Sequence, residues 1–253
     1  MDYKKQYLLE RLKTKLQFAY DNYGKENILG IFLYGSQNYN CETETSDVDA
    51  KVIYVPCLME AIINKSRLVK THIFENGEHL EIIDIRELVE NYKKQNINFI
   101  ETLFTEYYIL NPIYAQVFET YFTKDFRKNI ARYDEYKCLQ SYCGQAIHTL
   151  SQAMNLDDKS NKKYANSLRI KNFLERFIFN KEDFKNCLIP SNLDEVMKYK
   201  TNQEKVNVGQ ILELKHYFEK QQKLPKEQFS YNGFTALNLD NAAYKIIKFR
   251  EKW

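Results

Sequence analysis

Apolar residues near the start of the chain follow two patterns, one helical and one extended. Residues 2–23 carry apolar side chains three or four positions apart, and Gly24 stands where a helix C-cap belongs, which predicts an amphipathic helix. Residues 28–34 are a continuous apolar run, typical of a strand buried on both faces. After Gly35-Ser36 and a polar loop, residues 47–55 alternate as a second strand.

A hairpin and a helix start are predicted next. The short apolar runs 71–74 and 79–83 flank Asn76-Gly77, the strongest local signal for a β-hairpin. Asp84, followed three residues later by Glu87, resembles a capping box and predicts that a helix begins at this aspartate.

Helices account for the rest of the chain. The β signals stop after Pro112, and apolar spacing predicts helices at about 113–123, 133–155 and 161–180, with more beyond 203. Only 7 Gly and 4 Pro leave few turns for an all-β fold. The predicted fold class is therefore α/β (α+β), with a small mixed β-sheet domain over residues 1–112 and an α-helical C-terminal domain over 113–253.

Composition and charge exclude several classes of protein. Hydrophobic residues make up 44% and charged residues 28% of the 253 residues, which excludes a disordered chain. Lys and Arg number 37 against 34 Asp and Glu, without the concentrated positive charge of a dedicated DNA-binding domain. No apolar run approaches about 18 residues, and the first residues are charged, so we expect neither a membrane span nor a secretory signal. Cysteines without a CxxC pair indicate reduced thiols in a cytoplasmic protein, not disulfides or a zinc site.

Two aspartates at the start of the second predicted strand give the first indication of chemistry. Asp47 and Asp49 are two residues apart, so on a strand they point to the same face, roughly 6.5–7 Å apart at Cα. Two carboxylates on one face repel each other unless a cation compensates them. Many enzymes hold the oxygens of a phosphoryl transfer with paired metals roughly 3.5–4 Å apart, and Mg²⁺ prefers a few carboxylates together with phosphate oxygens.

Gly35-Ser36, at the end of the first predicted strand, supplies a complementary anion site. Glycine lets the backbone approach a ligand closely, and the serine hydroxyl can donate to a phosphate oxygen. If the chain turns helical here, the backbone N–H groups of residues 36–38 would point at a bound triphosphate.

The order of these features consists of an apolar strand, Gly-Ser, a ten-residue spacer, Asp-x-Asp and a second apolar strand. This order resembles the nucleotidyltransferase superfamily typified by DNA polymerase β. Three segments are similar to an uncharacterised branch of predicted nucleotidyltransferases in bacteria and their phages. They are YGSQNYNCETETSDVDAKVIYVP, HLEIIDIRELV and KKQNINFIETLFTEYYILNP. The similarity covers about residues 28–112 and continues faintly into 162–175. It implies a nucleoside triphosphate (NTP) donor and two Mg²⁺ ions, for which Mn²⁺ can substitute. It also makes residues 1–112 the catalytic domain, with the helical domain closing the cleft.

The superfamily carries a third carboxylate on a later strand, and two residues compete for this position. Glu81 alternates away from the apolar pair Leu80 and Ile82, so it can face the metals, and it is the preferred candidate. Asp84 is the alternative, although it is also predicted to cap a helix. Lys51 shares the face of the two aspartates, where it either offsets their charge or reaches solvent.

Polar residues outside these strands have two interpretations each. Lys162, Asn166 and Arg169 share one helix face, which is either a solvated surface or, by the resemblance, a wall of the catalytic cleft. We expect Lys163, Arg169 or both to bind phosphates under the second interpretation. Asn98 either caps the helix that follows it or contacts substrate.

The expected function is Mg²⁺-dependent transfer of NMP from an NTP to a hydroxyl acceptor, with release of pyrophosphate. Asp47, Asp49 and Glu81 are expected to be the catalytic metal ligands, and Gly35 and Ser36 to hold phosphates. The acceptor stays open among an RNA 3′ end, a protein hydroxyl and a small molecule. The alternative is a catalytically weak nucleotide-binding regulatory protein with a partner protein, such as a toxin–antitoxin or phage-defence component.

Overall fold

The central feature of the fold is a mixed five-stranded sheet in the order β3-β4-β2-β1-β5. The computed structural model describes residues 3–253, apart from the side chain of Phe234. Strands β2 and β4 run parallel, and the other neighbouring pairs run antiparallel. The strands are β1 (Ile28–Leu33), β2 (Ala50–Tyr54), β3 (Val69–Ile73), β4 (His79–Asp84) and β5 (Tyr108–Leu110).

Helices surround this sheet and make up nearly all of the chain beyond it. Helix α1 (Tyr3–Tyr23) ends at Gly24 with φ of +81°, as predicted, and the first position of the predicted helix, Asp2, lies outside the described residues. The helices between strands are α2 (Leu58–Ile62), α3 (Ile85–Lys93) and α4 (Ile97–Ile100). The later helices are α5 (Pro112–Tyr121), α6 (Lys124–Ala131), α7 (Glu135–Ala153), α8 (Ser160–Leu174), α9 (Phe184–Leu188), α10 (Leu193–Lys200), α11 (Val208–Gln222) and α12 (Gly233–Arg250).

The two faces of the sheet pack against different partners because side chains alternate along each strand. Ala50 and Val52 of β2 and Leu80 and Ile82 of β4 join a core cluster with the buried leucines of α1. The opposite face carries Ile53 and Ile83, which belong to the larger cluster formed with the helices. That larger cluster continues to α12, so the sheet and the later helices share one apolar core.

The predicted fold class is confirmed, and so are the hairpin and the helix start at Asp84. Strands β3 and β4 pair antiparallel around the Asn76-Gly77 turn. The Asp84 carboxylate accepts a hydrogen bond from Arg86 N at 2.8 Å and caps α3. Glu87 does not complete a capping box, since its two oxygens accept from Arg67 and Asn91 instead.

Other boundaries differ from the prediction. Strand β2 begins at Ala50 and not at Asp47, because β1 ends at Leu33, directly opposite Ala50, and the chain then turns away at Gly35. The short strand β5 was not predicted. Within the described chain, every helix falls short of the combined length and apolar character that crossing a membrane requires.

Candidate functional site

A cleft separates the end of β1 from the helices α8 and α10. Its volume is about 820 Å³ including the open mouth, within the range of small-molecule sites. The sheet contributes backbone and acidic groups to one side, and the helices contribute cationic side chains to the other. The residues that concern the chemistry are Tyr34, Gly35, Ser36 and Asp49 on the sheet side, and Lys162, Asn166, Arg169 and Lys200 on the helix side.

The Gly35-Ser36 turn forms as the sequence predicted. Gly35 lies two residues after the end of β1 and has φ of +87°, a left-handed conformation that favours glycine over any residue with a side chain. A single helical turn, Ser36–Tyr39, follows immediately, with Asn38 N donating to Gly35 O at 3.0 Å. A Cβ at Gly35 would meet no atom within 4 Å, so the backbone conformation, not lack of space, selects glycine here.

Asp47 and Asp49 lie just before β2, and only Asp49 lines this cleft. Asp49 is half-buried, and its Oδ1 accepts a hydrogen bond from His79 N at 2.9 Å. Asp47 is exposed beside the β3–β4 turn, where a Cβ added at Gly77 would lie 3.9 Å from Asp47 Oδ1. The predicted placement of both aspartates on one strand is therefore wrong.

Glu81 shares a sheet face with Lys51, which lies directly opposite it on β2. The Lys51 ammonium is 2.5 Å from Glu81 Oε2, and the Tyr34 hydroxyl donates to Glu81 Oε1 at 2.7 Å. Lys51 is only 1% exposed and lies 3.8 Å from the centre of the Tyr34 ring. Lys51 therefore does not reach solvent, and the carboxylate that it pairs with is Glu81 and neither of the two aspartates.

The Asp84 carboxylate pairs with Arg86 and does not line the cleft. Its carboxylate receives Arg86 Nη2 at 2.6 Å in addition to the cap of α3, and the residue is buried. It lines a separate surface pocket with Tyr54 and Glu60. Glu81 is therefore the carboxylate of this pair that faces the same side of the sheet as Asp49 and Lys51.

The chemistry of the acidic side chains fits Mg²⁺, but their arrangement is incomplete. Carboxylate oxygens are the ligands that Mg²⁺ prefers, and Asp49 Oδ2 accepts no hydrogen bond from a described residue. Glu81, in contrast, has both oxygens engaged by Lys51 and Tyr34. Within residues 3–253, His, Cys, Asp and Glu side chains do not gather in threes around a point that a metal could occupy.

The helix side of the cleft is cationic, and one of its groups lacks a partner. Arg169 is 4% exposed and places its guanidinium 3.9 Å from the centre of the Tyr39 ring. Its Nε and Nη2 donate to Asn166 Oδ1 at 3.3 and 3.1 Å, while Nη1 is buried without a hydrogen-bond partner among the described residues. A buried unpaired donor costs free energy, so a ligand oxygen that reached this nitrogen would form a stabilising hydrogen bond.

The two lysines of α8 are placed differently. Lys162 lines the cleft with Asn166 and Arg169, so the predicted shared helix face is a wall of the cleft. Lys163 does not line the cleft, and its ammonium pairs with Asp157 at 3.0 Å. The structure thus places Lys162, and not Lys163, beside Arg169 in the cleft.

Lys200 lines the cleft, Glu101 is buried beside its lining residues Gly35 and Tyr39, and neither was assigned a role from the sequence. Lys200 donates to the carbonyl of Cys41, and burial lowers the pKa of its ammonium. Glu101 is fully buried and accepts hydrogen bonds from Gly35 N at 3.3 Å and from the Tyr39 hydroxyl. Burial raises the pKa of the Glu101 carboxyl, although the Tyr39 hydrogen bond and the nearby charges of Arg169 and Lys51 oppose the shift.

Asn96, and not Asn98, caps the short helix α4. The side chain of Asn96 caps α4 by accepting from Asn98 N at 3.1 Å. Asn98 lines the cleft instead. The capping interpretation of Asn98 is therefore wrong, and its side chain is available to a ligand in the cleft.

Comparison with known proteins gives a match among solved structures but none among family models or curated sequences. No protein-family model matches the chain, and no curated protein sequence matches it. Among solved structures, the chain is similar to a nucleotidyltransferase-like protein from Exiguobacterium sibiricum 255-15. The two share 12% sequence identity over 96% of this chain and 74% of the other, with a TM-score of 0.32.

Proposed function

We propose that this protein is a nucleotidyltransferase that moves NMP from an NTP to a hydroxyl acceptor and releases pyrophosphate. The observation that carries the proposal is the cleft itself, where Gly35-Ser36 and Asp49 face the cations Lys162, Arg169 and Lys200. An acidic edge opposite a cationic wall suits a ligand that carries both metal ions and phosphates.

The cationic wall is the better defined half of the site. A triphosphate brings several negative charges, and a guanidinium binds phosphate oxygens with directed hydrogen bonds. Arg169 Nη1 is a buried donor without a partner in the structure, so a phosphate oxygen would satisfy it. Ser36 lies across the cleft from this group and offers a hydroxyl donor.

The roles of the acidic residues follow from their chemistry and from the motif. Asp47 and Asp49 would hold Mg²⁺, with Glu81 as the third carboxylate once Lys51 releases it. Bound Mg²⁺ would neutralise phosphate charge and stabilise the charge that develops on the leaving oxygens. The acceptor hydroxyl attacks the α-phosphorus, the bond to the bridging oxygen of pyrophosphate breaks, and a carboxylate takes the proton of the hydroxyl. The acceptor remains an RNA 3′ end, a protein hydroxyl or a small molecule.

Label transfer tests this function and identifies the acceptor class. Each α-³²P-labelled NTP is incubated with Mg²⁺ or Mn²⁺, cell lysate and the protein, beside an Asp47→Ala/Asp49→Ala double variant. We expect wild type, but not the variant, to label one of the RNA, protein or small-molecule fractions. Absence of label from every fraction, with every NTP and both metals, would contradict the proposal.

The two neighbouring lysines of α8 provide a matched test of the cationic wall. We expect Lys162→Met to weaken NTP binding about tenfold or more, since it removes a charge that faces the ligand. Lys163→Met removes the same charge one residue away, outside the cleft, and should leave the dissociation constant nearly unchanged. Isothermal titration with each NTP measures both constants. Equal losses in the two variants would show that only overall charge matters.

A second candidate function has one observation in its favour. Both oxygens of Glu81 are engaged by Lys51 and Tyr34. If these contacts persisted when nucleotide bound, Glu81 could not act as the third carboxylate, and the protein would bind nucleotide without efficient transfer. Such a protein would act as a nucleotide-dependent regulator of a partner protein. NTP binding that is lost in Lys162→Met, together with no label transfer by wild type, would support this alternative.

A further inference from the structure

One buried charge in the first helix has no part in the cleft. Lys15 lies among the apolar residues of α1 and is only 3% exposed. A lysine is rarely buried this deeply unless its ammonium is fully paired. Its partners therefore indicate what this charge does.

The Lys15 ammonium pairs with Glu78 Oε2 at 3.0 Å and also contacts the backbone of the proposed metal-binding segment and of β4. It donates to the carbonyl of Val48, the residue between Asp47 and Asp49, and to the carbonyl of His79 at 3.2 Å. The amide of His79 in turn donates to Asp49 Oδ1 at 2.9 Å. Lys15 thus connects the Asp47–Asp49 segment to the start of β4.

This connection compensates for missing strand pairing. Strand β2 begins only at Ala50, so the ladder between strands does not hold residues 47–48 in place. A loop carboxylate orients a metal well only when neighbouring groups restrict its motion. The buried ammonium supplies this restriction from below the sheet.

We propose that Lys15 is a positioning residue that fixes the Asp47–Asp49 segment for metal binding. The inference rests on the proposed function, because it takes these two aspartates as metal ligands. Lys15 itself touches neither the metal nor the substrate in this scheme.

The test is metal affinity, measured without catalysis. Mn²⁺ binding to the full-length protein is followed by electron paramagnetic resonance for wild type, Asp47→Ala/Asp49→Ala and Lys15→Met. We expect Lys15→Met to weaken Mn²⁺ binding about 10- to 100-fold, the usual effect of removing a group that orients a metal ligand. If only charge mattered, Lys15→Met would instead tighten Mn²⁺ binding. Lys15 interacts electrostatically with Asp49, so removal of the lysine charge would favour a cation there.

Arg11→Met is the matched control. Arg11 lies one turn earlier on α1 and pairs with the same carboxylate as Lys15, at 2.7 Å from Glu78 Oε2 compared with 3.0 Å for Lys15. Its hydrogen bonds reach Glu78 and not the Asp47–Asp49 segment. We expect this variant to bind Mn²⁺ as wild type does.

The outcomes separate the inference from the proposed function. Wild type that fails to bind Mn²⁺, or binding that survives in the double aspartate variant, would overturn the metal site itself. Binding that depends on the aspartates but is unchanged or tighter in Lys15→Met would overturn the inference alone. If Lys15→Met does not fold, Lys15→Gln replaces it, because the shorter amide cannot reach both carbonyls. Hydrogen exchange at the amides of residues 47–49 should accelerate in either folded variant.

Discussion

At the scale of single residues, Glu101 is a buried carboxylate beneath the cleft, and burying a carboxylate costs free energy. It has no ion-pair partner within 4 Å among the described residues, yet it is fully buried. Glu101 accepts hydrogen bonds from Gly35 N and from the Tyr39 hydroxyl, and the guanidinium of Arg169 packs against the Tyr39 ring. One buried acid therefore supports both the Gly35-Ser36 turn and the cationic wall.

We predict that Glu101→Gln stabilises the fold relative to wild type, and increasingly so as the pH rises. The raised pKa means that the native carboxyl binds its proton more tightly than the unfolded one. Between the ordinary pKa of about 4.3 and the raised value, the native state holds more protons, so wild type loses stability with increasing pH. Urea unfolding of both proteins at pH 4.5, 5.5, 6.5 and 7.5 measures the difference in free energy. A difference that does not change with pH would contradict the prediction.

Glu135→Gln is the control for that experiment and should show the opposite trend. Glu135 is also buried, and burial would raise its pKa, but hydrogen bonds from Lys181, Ser230 N and Arg132 outweigh burial and lower it. Its stabilising contribution is present above the ordinary pKa and is lost as the pH falls. The free energy of unfolding of wild type should therefore exceed that of Glu135→Gln by the largest amount at neutral pH.

Single residues also mark the limit of sequence-based prediction. Gly35-Ser36 and the helix face of Lys162 and Arg169 could be located because their signals are local, namely a strand end and helical spacing. Glu101 and Lys15 could not, because their partners lie more than 30 positions away. Lys15 in particular stands on the apolar face of α1, where spacing alone predicts another core residue.

At the scale of elements, the pairing of β1 with β5 depends on one glycine. A Cβ at Gly30 would lie 2.7 Å from the carbonyl oxygen of Ile109 and 3.1 Å from Leu110 Cα, both backbone atoms. Backbone atoms in a ladder cannot move aside without breaking hydrogen bonds. Gly30 also sits at the irregular register between β1 and β2.

We predict that Gly30→Ala destabilises the fold by about 1–3 kcal/mol, the usual cost of overpacking. Gly144→Ala is the control, since its Cβ would meet only Gln222 Nε2, at 3.7 Å, in the middle of α7. That change should stabilise the protein by about 0.5–1 kcal/mol through helix propensity. Urea unfolding at neutral pH measures both, and a Gly30→Ala protein as stable as wild type would contradict the steric argument.

The elements that escaped prediction are the short ones. Strand β5 has three residues, too few to show alternation, and is held mainly by its register with β1. Strand β2 was predicted to begin three residues too early because Val48 continues the apolar alternation while the partner strand has already ended. Pairing between distant segments, which the sequence does not display, decided both boundaries.

At the scale of the whole molecule, the sheet and the helices share structure across the division expected near residue 112. The larger core cluster includes Leu29 and Phe32 of β1, and Ile246 and Ile247 of α12. Arg250, the last residue of α12, donates to Asn27 Oδ1 at 2.8 Å immediately before β1. The end of the chain is therefore packed against the first strand, although more than 200 residues separate them.

This shared core predicts that the sheet and the helices unfold together. Hydrogen exchange of β1, β2, α7 and α11, followed over low urea concentrations, should give one opening free energy for all four. Gly30→Ala changes a residue of the sheet only. It should nevertheless lower the opening free energy equally in α7 and α11, because all elements of one cooperative unit open in the same unfolding step. Two independently folding domains, divided near Pro112, would instead lose protection in β1 and β2 while the helices kept theirs. That result would separate the sheet side of the cleft from its cationic wall energetically, so that the two sides could move relative to each other as domains.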